Sequence, residues 1–299
     1  MRLRFPTAAL AAAACLALGA SAAQADSWSL APGEYYTTLS GVSSATSSFY
    51  NDDKVRSALG YTTGQRAFSS YTEFGWKKHL SAQLGLPFIT NSLSLGAGSR
   101  ARSGLGDFDF GLRWKLKNGV SAAALQFDWT TPTGYNRKLP LPVGAGTQSL
   151  GLALHVGGAV GHNSFWQASG GYLYDYIAVA SRTSGTLQPS STGQFVTGER
   201  NWSDHVTASA TYAFWYRRLL LAANYAGSFP ISTGRGYEVT EHRAGPRFTY
   251  RVDERVDVFG GSWSTPTGQN TLHFDQFYAG LAFKTTKLGR LQGFMGSDK

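Results

Sequence analysis

The chain has 299 residues, 36 glycines, a single cysteine and a formal charge of +9. One cysteine excludes a disulfide framework and a Cys-ligated metal centre, and no stretch after residue 25 approaches the 18 apolar residues of a spanning helix. The basic residues are spread along the chain instead of forming a patch, which argues against a nucleic-acid partner.

The N-terminus reads as an export signal. Arg2 and Arg4 precede the apolar run AALAAAACLALGA, and Ala23-Gln24-Ala25 supplies a small-x-small cleavage site. The expectation is a cleaved peptide over 1–25 and a single domain over 26–299. Cys15 lies inside the apolar run, so a lipoprotein anchor does not fit. Without Arg2 and Arg4 the basic residues fall from 27 to 25 against 18 acids, a balance of +7.

From there on the pattern has period two. Weak alternation covers 33–43 and 67–77. In 80–88, Leu80, Ala82, Leu84, Leu86 and Phe88 alternate with Ser81, Gln83 and Gly85. In GDFDFGLRWKLK (106–117), Phe108, Phe110, Leu112, Trp114 and Leu116 oppose Asp107, Asp109, Arg113, Lys115 and Lys117. The same holds for 121–130, 149–157, 205–214, 217–226, 241–251 and 275–284. Weaker candidates at 164–178 and 255–263 bring the total to twelve predicted strands, with no helical periodicity.

The joins alternate in length. Those near 78–79, 117–119, 161–163, 216–218 and 253–254 are short. Those at 44–66, 89–105, 131–148, 179–203, 228–240 and 264–273 are long and rich in Ser, Gly, Thr and Asn. Outer-membrane barrels combine short periplasmic turns with long external loops. LPFITNS (86–92), TTPTGYN (130–136), FPISTG (229–234) and STPTGQN (264–270) read as strand ends at the outer rim, because proline cannot donate to a ladder.

Alternation alone does not say which face meets lipid. The export signal, the aromatic residues towards strand ends and the small residues on the charged face together favour apolar outward and charged inward. The predicted fold is an all-β, transmembrane antiparallel barrel of about twelve strands. Pro246 interrupts a lipid-facing run, which reads as a tolerated bulge or a lateral opening. QFYAGLAFK (276–284) reads as the closing strand, with 286–299 running past it.

The segment SGLGDFDFGLRWKLKNG (103–119) resembles the outer-membrane family labelled "MetA-pathway of phenol degradation". Leu86-Pro87-Phe88 before a polar loop, Pro132-Thr133-Gly134 and the Gly-rich pair at 149–175 add to the resemblance. It implies an outer-membrane barrel associated with degradation of aromatic or hydrophobic compounds, and it carries over no site residue.

No catalytic, cofactor or metal motif stands out. The six histidines have no metal-site spacing, and Ser149 with His155 is the nearest approach to a nucleophile and base. The candidate pore-lining residues are Asp107, Asp109, Arg113, Lys115, Lys117, Asp128, His155, Glu241, Arg243, Arg247 and Arg251. Arg243, Arg247 and Arg251 recur every fourth residue on one inward face, a basic ladder suited to anions. The expected partners are outer-membrane lipid, the barrel-assembly machinery during biogenesis and a small solute. The leading function is passive passage of small molecules. The rival is a structural or surface-interaction barrel with a closed lumen, working through 44–66 and 179–203.

Overall fold

The computed structural model describes residues 30–51, 53–96, 98–117, 119–133, 143, 147–177, 204–231, 240–269 and 271–285. The export segment, the 179–203 loop and the tail past 285 lie outside them. The described residues form one antiparallel sheet closed on itself. Its strands are β1 (Tyr35–Tyr50), β2 (Arg56–Lys77), β3 (Leu80–Leu95), β4 (Gly98–Leu105 and Asp107–Lys117) and β5 (Ser121–Pro132). Next come β6 (Thr147–Val160), β7 (Ser164–Ile177), β8 (Asp204–Tyr216) and β9 (Leu219–Pro230). The last three are β10 (Thr240–Arg251), β11 (Val256–Gln269) and β12 (Thr271–Leu272 and Asp275–Lys284). β4 and β12 are each one strand with a break, since both pieces pair with the same neighbour. β1 pairs with β2 on one side and β12 on the other, which closes a ring of twelve.

The wall is inside-out. Trp114 and Leu116 are 57% and 54% exposed on the outer face, while Asp107 and Arg113 on the same strand are fully buried. The pattern repeats around the ring. Leu84, Phe127, Leu152, Val206, Phe248 and Leu281 are exposed, and Gln83, Gln126, Ser149, His205, Thr249 and Gln276 are buried. An apolar belt of this extent has no place in water, whereas hydrocarbon needs it. On β2 the belt runs from Phe68 to Trp76, eight residues or about 20 Å of height for a tilted strand, close to a membrane barrel's apolar band. The fold is a transmembrane β-barrel.

Three joins read as long loops are mostly strand. β1 continues to Tyr50 and β2 begins at Arg56, β3 and β4 meet at 96–97, and β11 and β12 meet at residue 270. Above the lipid there is no medium to select outward apolar residues. The Ser/Thr/Gly-rich sequence therefore loses its alternation while the backbone keeps its ladder. Two of the four proline motifs are likewise not strand ends. Pro132 and Pro230 close β5 and β9, but Pro87 and Pro266 lie inside β3 and β11. Both sit at register breaks. Opposite Pro87 the β4 ladder skips at Gly106, and near Pro266 the β10 register shifts between His242 and Ala244. A bulge is where a sheet tolerates a residue with no donor.

Pro246 also sits inside a wall, with no opening beside it. It pairs with Ala223 on β9. The register to β11 is the same on either side, Ala244 with Ser264 and Arg247 with Gly261. A Cβ on Gly245 would collide with the Ser262 carbonyl, so the two backbones touch there.

Candidate functional site

The interior has two charged walls. One is built on β2–β6. Arg113, fully buried, donates from Nη1 to Glu73 Oε2 at 2.9 Å and from Nε and Nη2 to Gln126 Oε1 at 3.0 and 2.8 Å. Ser81 donates to Glu73 Oε1 at 2.6 Å, and Gln126 Nε2 donates to Asp128 Oδ1 at 2.7 Å. Thr130 donates to Asp109 Oδ1 at 2.7 Å. Four neighbouring strands are thus tied by side chains as well as by backbone. The pairing places each partner: Glu73 lies opposite Gln83, Gln83 opposite Gly111, and Arg113 opposite Gln126.

The other wall is built on β10–β12. Arg243 grips Glu241, Nε to Oε1 at 2.7 Å and Nη2 to Oε2 at 3.0 Å. Arg251 lies 4.4 Å over the Trp215 ring and 4.0 Å from Asp257, whose other oxygen accepts from Lys284 Nζ at 2.8 Å. Arg247 lies 5.3 Å over the Phe259 ring. β4 and β10 are six places apart in a ring of twelve, so these walls face each other across the lumen.

The sequence candidates divide accordingly. Asp107, Asp109, Arg113 and Asp128 gather on the first wall with Lys115, and Glu241, Arg243, Arg247 and Arg251 on the second. His155 is buried on β6, one strand beyond Gln126, and its Nε2 has no hydrogen-bond partner among the described residues. Lys117 parts from the others. A register shift after Lys115 pairs Lys117 with Ala123, which is on the outer face, and Lys117 is exposed at the rim. Ser149 and His155 lie six residues apart along β6, about 20 Å, too far for a nucleophile–base hydrogen bond. Among the described residues no three metal-ligating side chains cluster.

Sequence reasoning missed an apolar strip inside the barrel. Val42, Ala67 and Ile89 are buried together, with Tyr278 packed against them. Phe259 and Trp263 are 1% and 5% exposed on the inner face of β11. The signal was present as parity: Phe259 and Trp263 share the inward parity of Asp257. Two segments also reach inside. Leu30 is buried, and the Ala31 carbonyl occupies the space a Cβ on Gly75 would need. Val143, from the β5–β6 connection, packs on Gly104, a Cβ there lying 3.3 Å from Cγ2.

The family model described as "Putative MetA-pathway of phenol degradation" matches residues 40–279. The chain belongs to this family. Its match runs from the middle of β1 into β12, so it spans the whole ring. Among solved structures, an outer membrane channel from Pseudomonas putida F1 is similar at TM-score 0.67 and 12% identity, over 87% of this chain and 98% of that one. The translocator domain of the autotransporter NalP from Neisseria meningitidis is similar at TM-score 0.52 and 11% identity, over 94% and 99%. At these identities the likeness is one of fold. No curated protein matches in sequence.

Proposed function

We propose that this member of the family is a passive outer-membrane channel, and not an enzyme, for small molecules of hydrophobic or aromatic character. On this reading residues 1–25 are removed on export, the assembly machinery inserts the barrel, and lipid surrounds it. The observation that carries it is the interior. Twelve strands at the usual spacing and tilt enclose roughly 24 Å between opposite backbones, of which inward side chains leave roughly 10 Å. Polar and charged side chains such as Glu73, Arg113, Gln126, Glu241 and Arg243 face that lumen, while Val42, Ile89, Phe259 and Trp263 are packed among them. The family label points to aromatic compounds, and the similar Pseudomonas structure is itself described as a channel. The segments at Gly75 and Gly104 favour the rival, a closed barrel, and the conductance test below separates the two.

The same reading assigns Asp107, Asp109, Arg113, Lys115, Asp128, His155, Glu241, Arg243, Arg247 and Arg251 to the pore lining. Changing Arg243, Arg247 and Arg251 together to glutamine is expected to shift the reversal potential in a salt gradient towards cation preference. An unchanged reversal potential would remove the arginine wall from the ion path.

A further inference from the structure

We propose that the outer wall carries a site for an anionic phospholipid at the short-turn end of β2–β4, with Lys77 and Lys117 taking the headgroup phosphate and Trp76 and Trp114 lying against the lipid beneath it. The site is on the wall and not in the lumen, so it is independent of whether the barrel conducts. Short turns mark this end as periplasmic, and the lipid therefore comes from the periplasmic leaflet.

In a regular strand the residue after an outward one points inward. A bulge breaks that rule twice at this end. The β2 register shifts between Gly75 and Lys77, and Lys77 pairs with Leu80, which in turn pairs with outward Trp114. Trp76 and Lys77, consecutive in sequence, thus both stand on the lipid side, and both are exposed. The β4 register shifts between Lys115 and Lys117, and Lys117 pairs with outward Ala123. Leu116 and Lys117 thus share the lipid side as well. Bulges re-aim side chains, and each of these adds a cation to the outer face where the apolar belt ends. The Lys77 ammonium lies 5.3 Å over the Trp76 ring. The Lys115 amide donates to the His79 carbonyl at 2.8 Å, which holds the β2–β3 turn against β4. Only β3 separates the two bulged strands, so their backbones are about 10 Å apart, and two lysine side chains can converge on one phosphate.

No acid answers these charges. Residues 76–80 and 114–121 include four lysines and no Asp or Glu. Lys77, Lys78 and Lys117 are exposed, and none has an ion pair or side-chain hydrogen bond among the described residues. Glu34, on the β1 side of Gly75, is buried and accepts from the Ala31 amide at 2.7 Å. The β10–β11 turn is different, since Asp253 and Glu254 stand beside Arg255 there. Lysines at the edge of an apolar belt meet headgroups and attract anionic ones. A zwitterionic headgroup brings its own ammonium to the pair. A soluble phosphate reaches the lysines but gains nothing from Trp76 and Trp114. An anionic phospholipid satisfies both.

Native mass spectrometry of the purified full chain tests this. The chain is released from detergent containing equal amounts of phosphatidylglycerol and phosphatidylethanolamine with the same acyl chains. The native chain is expected to retain phosphatidylglycerol about tenfold in preference. Lys77→Gln with Lys117→Gln should bring the two lipids to near equality. Lys54→Gln with Arg100→Gln removes the same charge from exposed positions at the other end and should leave the preference intact. Changing exposed residues, both pairs are expected to fold as the native chain does. Equal retention of the two lipids by the native chain would overturn the proposal. So would an equal loss of preference in the two paired variants, which would reduce it to net charge. Displacement of the bound lipid by glycerol phosphate at the same concentration would overturn it too, by showing a phosphate site without a lipid.

Discussion

Replacing Arg113 by alanine is expected to lower the unfolding free energy by about 3–5 kcal/mol, the cost of leaving a buried partner without its counter-charge. Glu73, 5% exposed, would keep a hydrogen bond from Ser81 and lose its cation. Gln126 would lose two donors at once. The damage spreads because Arg113 joins strands that are not neighbours. Glu73 on β2 is two strands away from it in the ring, with β3 between. Urea unfolding in lipid vesicles, followed by the faster gel mobility of the folded barrel, measures the loss. The double change Glu73→Gln with Arg113→Met should recover much of it, since removing both charges removes the unpaired one. A single variant within about 1 kcal/mol of the native chain would mean that lumen water solvates Glu73 well enough to make the pair dispensable.

The second large effect is on the opposite face. Leu152→Arg, at the middle of the outer face of β6, is expected to cost about 2–4 kcal/mol in a bilayer. Leu152 is 51% exposed, so in water the same change would be nearly neutral. Thr207→Lys on β8 has the inward parity of buried His205 and should cost far less in the same assay. Equal costs for the two changes would contradict the assignment of faces, whatever the size of either.

The fold was legible in the sequence where lipid selects it. Each of the twelve strands overlaps one of the period-two runs, because each outward position between Phe68 and Trp76, or Phe108 and Trp114, has to be apolar or small. Outside the lipid that selection ends. The extensions of β1, β2, β3 and β11 therefore looked like loops, although their backbones stay paired, through a register shift at Thr46/Ser48 on β1 and another beside Pro266 on β11. Bulges were illegible for a different reason. An extra residue leaves no mark in composition, so counting by twos carried Lys117 inward across a break that in fact turns it to the rim. Pro87 and Pro266 were marks of such breaks, read as ends. At the site, the charged residues were found because charge is conspicuous on a strand. Val42, Ala67, Ile89 and Phe259 were not, because an inward apolar residue looks like any other until the register shows its neighbours. Arg243 finds its acid, Glu241, on β10 itself, but Arg251 finds Asp257 on β11, a pairing that spacing along β10 does not contain.

The most direct test of the account is the current through the purified barrel in a planar lipid bilayer, recorded first in salt and then with benzyl alcohol added to one side. The channel reading predicts steady ohmic steps of a single size, interrupted by the aromatic solute as it enters the lumen. Protein shown to be folded, inserted and silent under both conditions would contradict it, and would leave a sealed barrel working through its external loops.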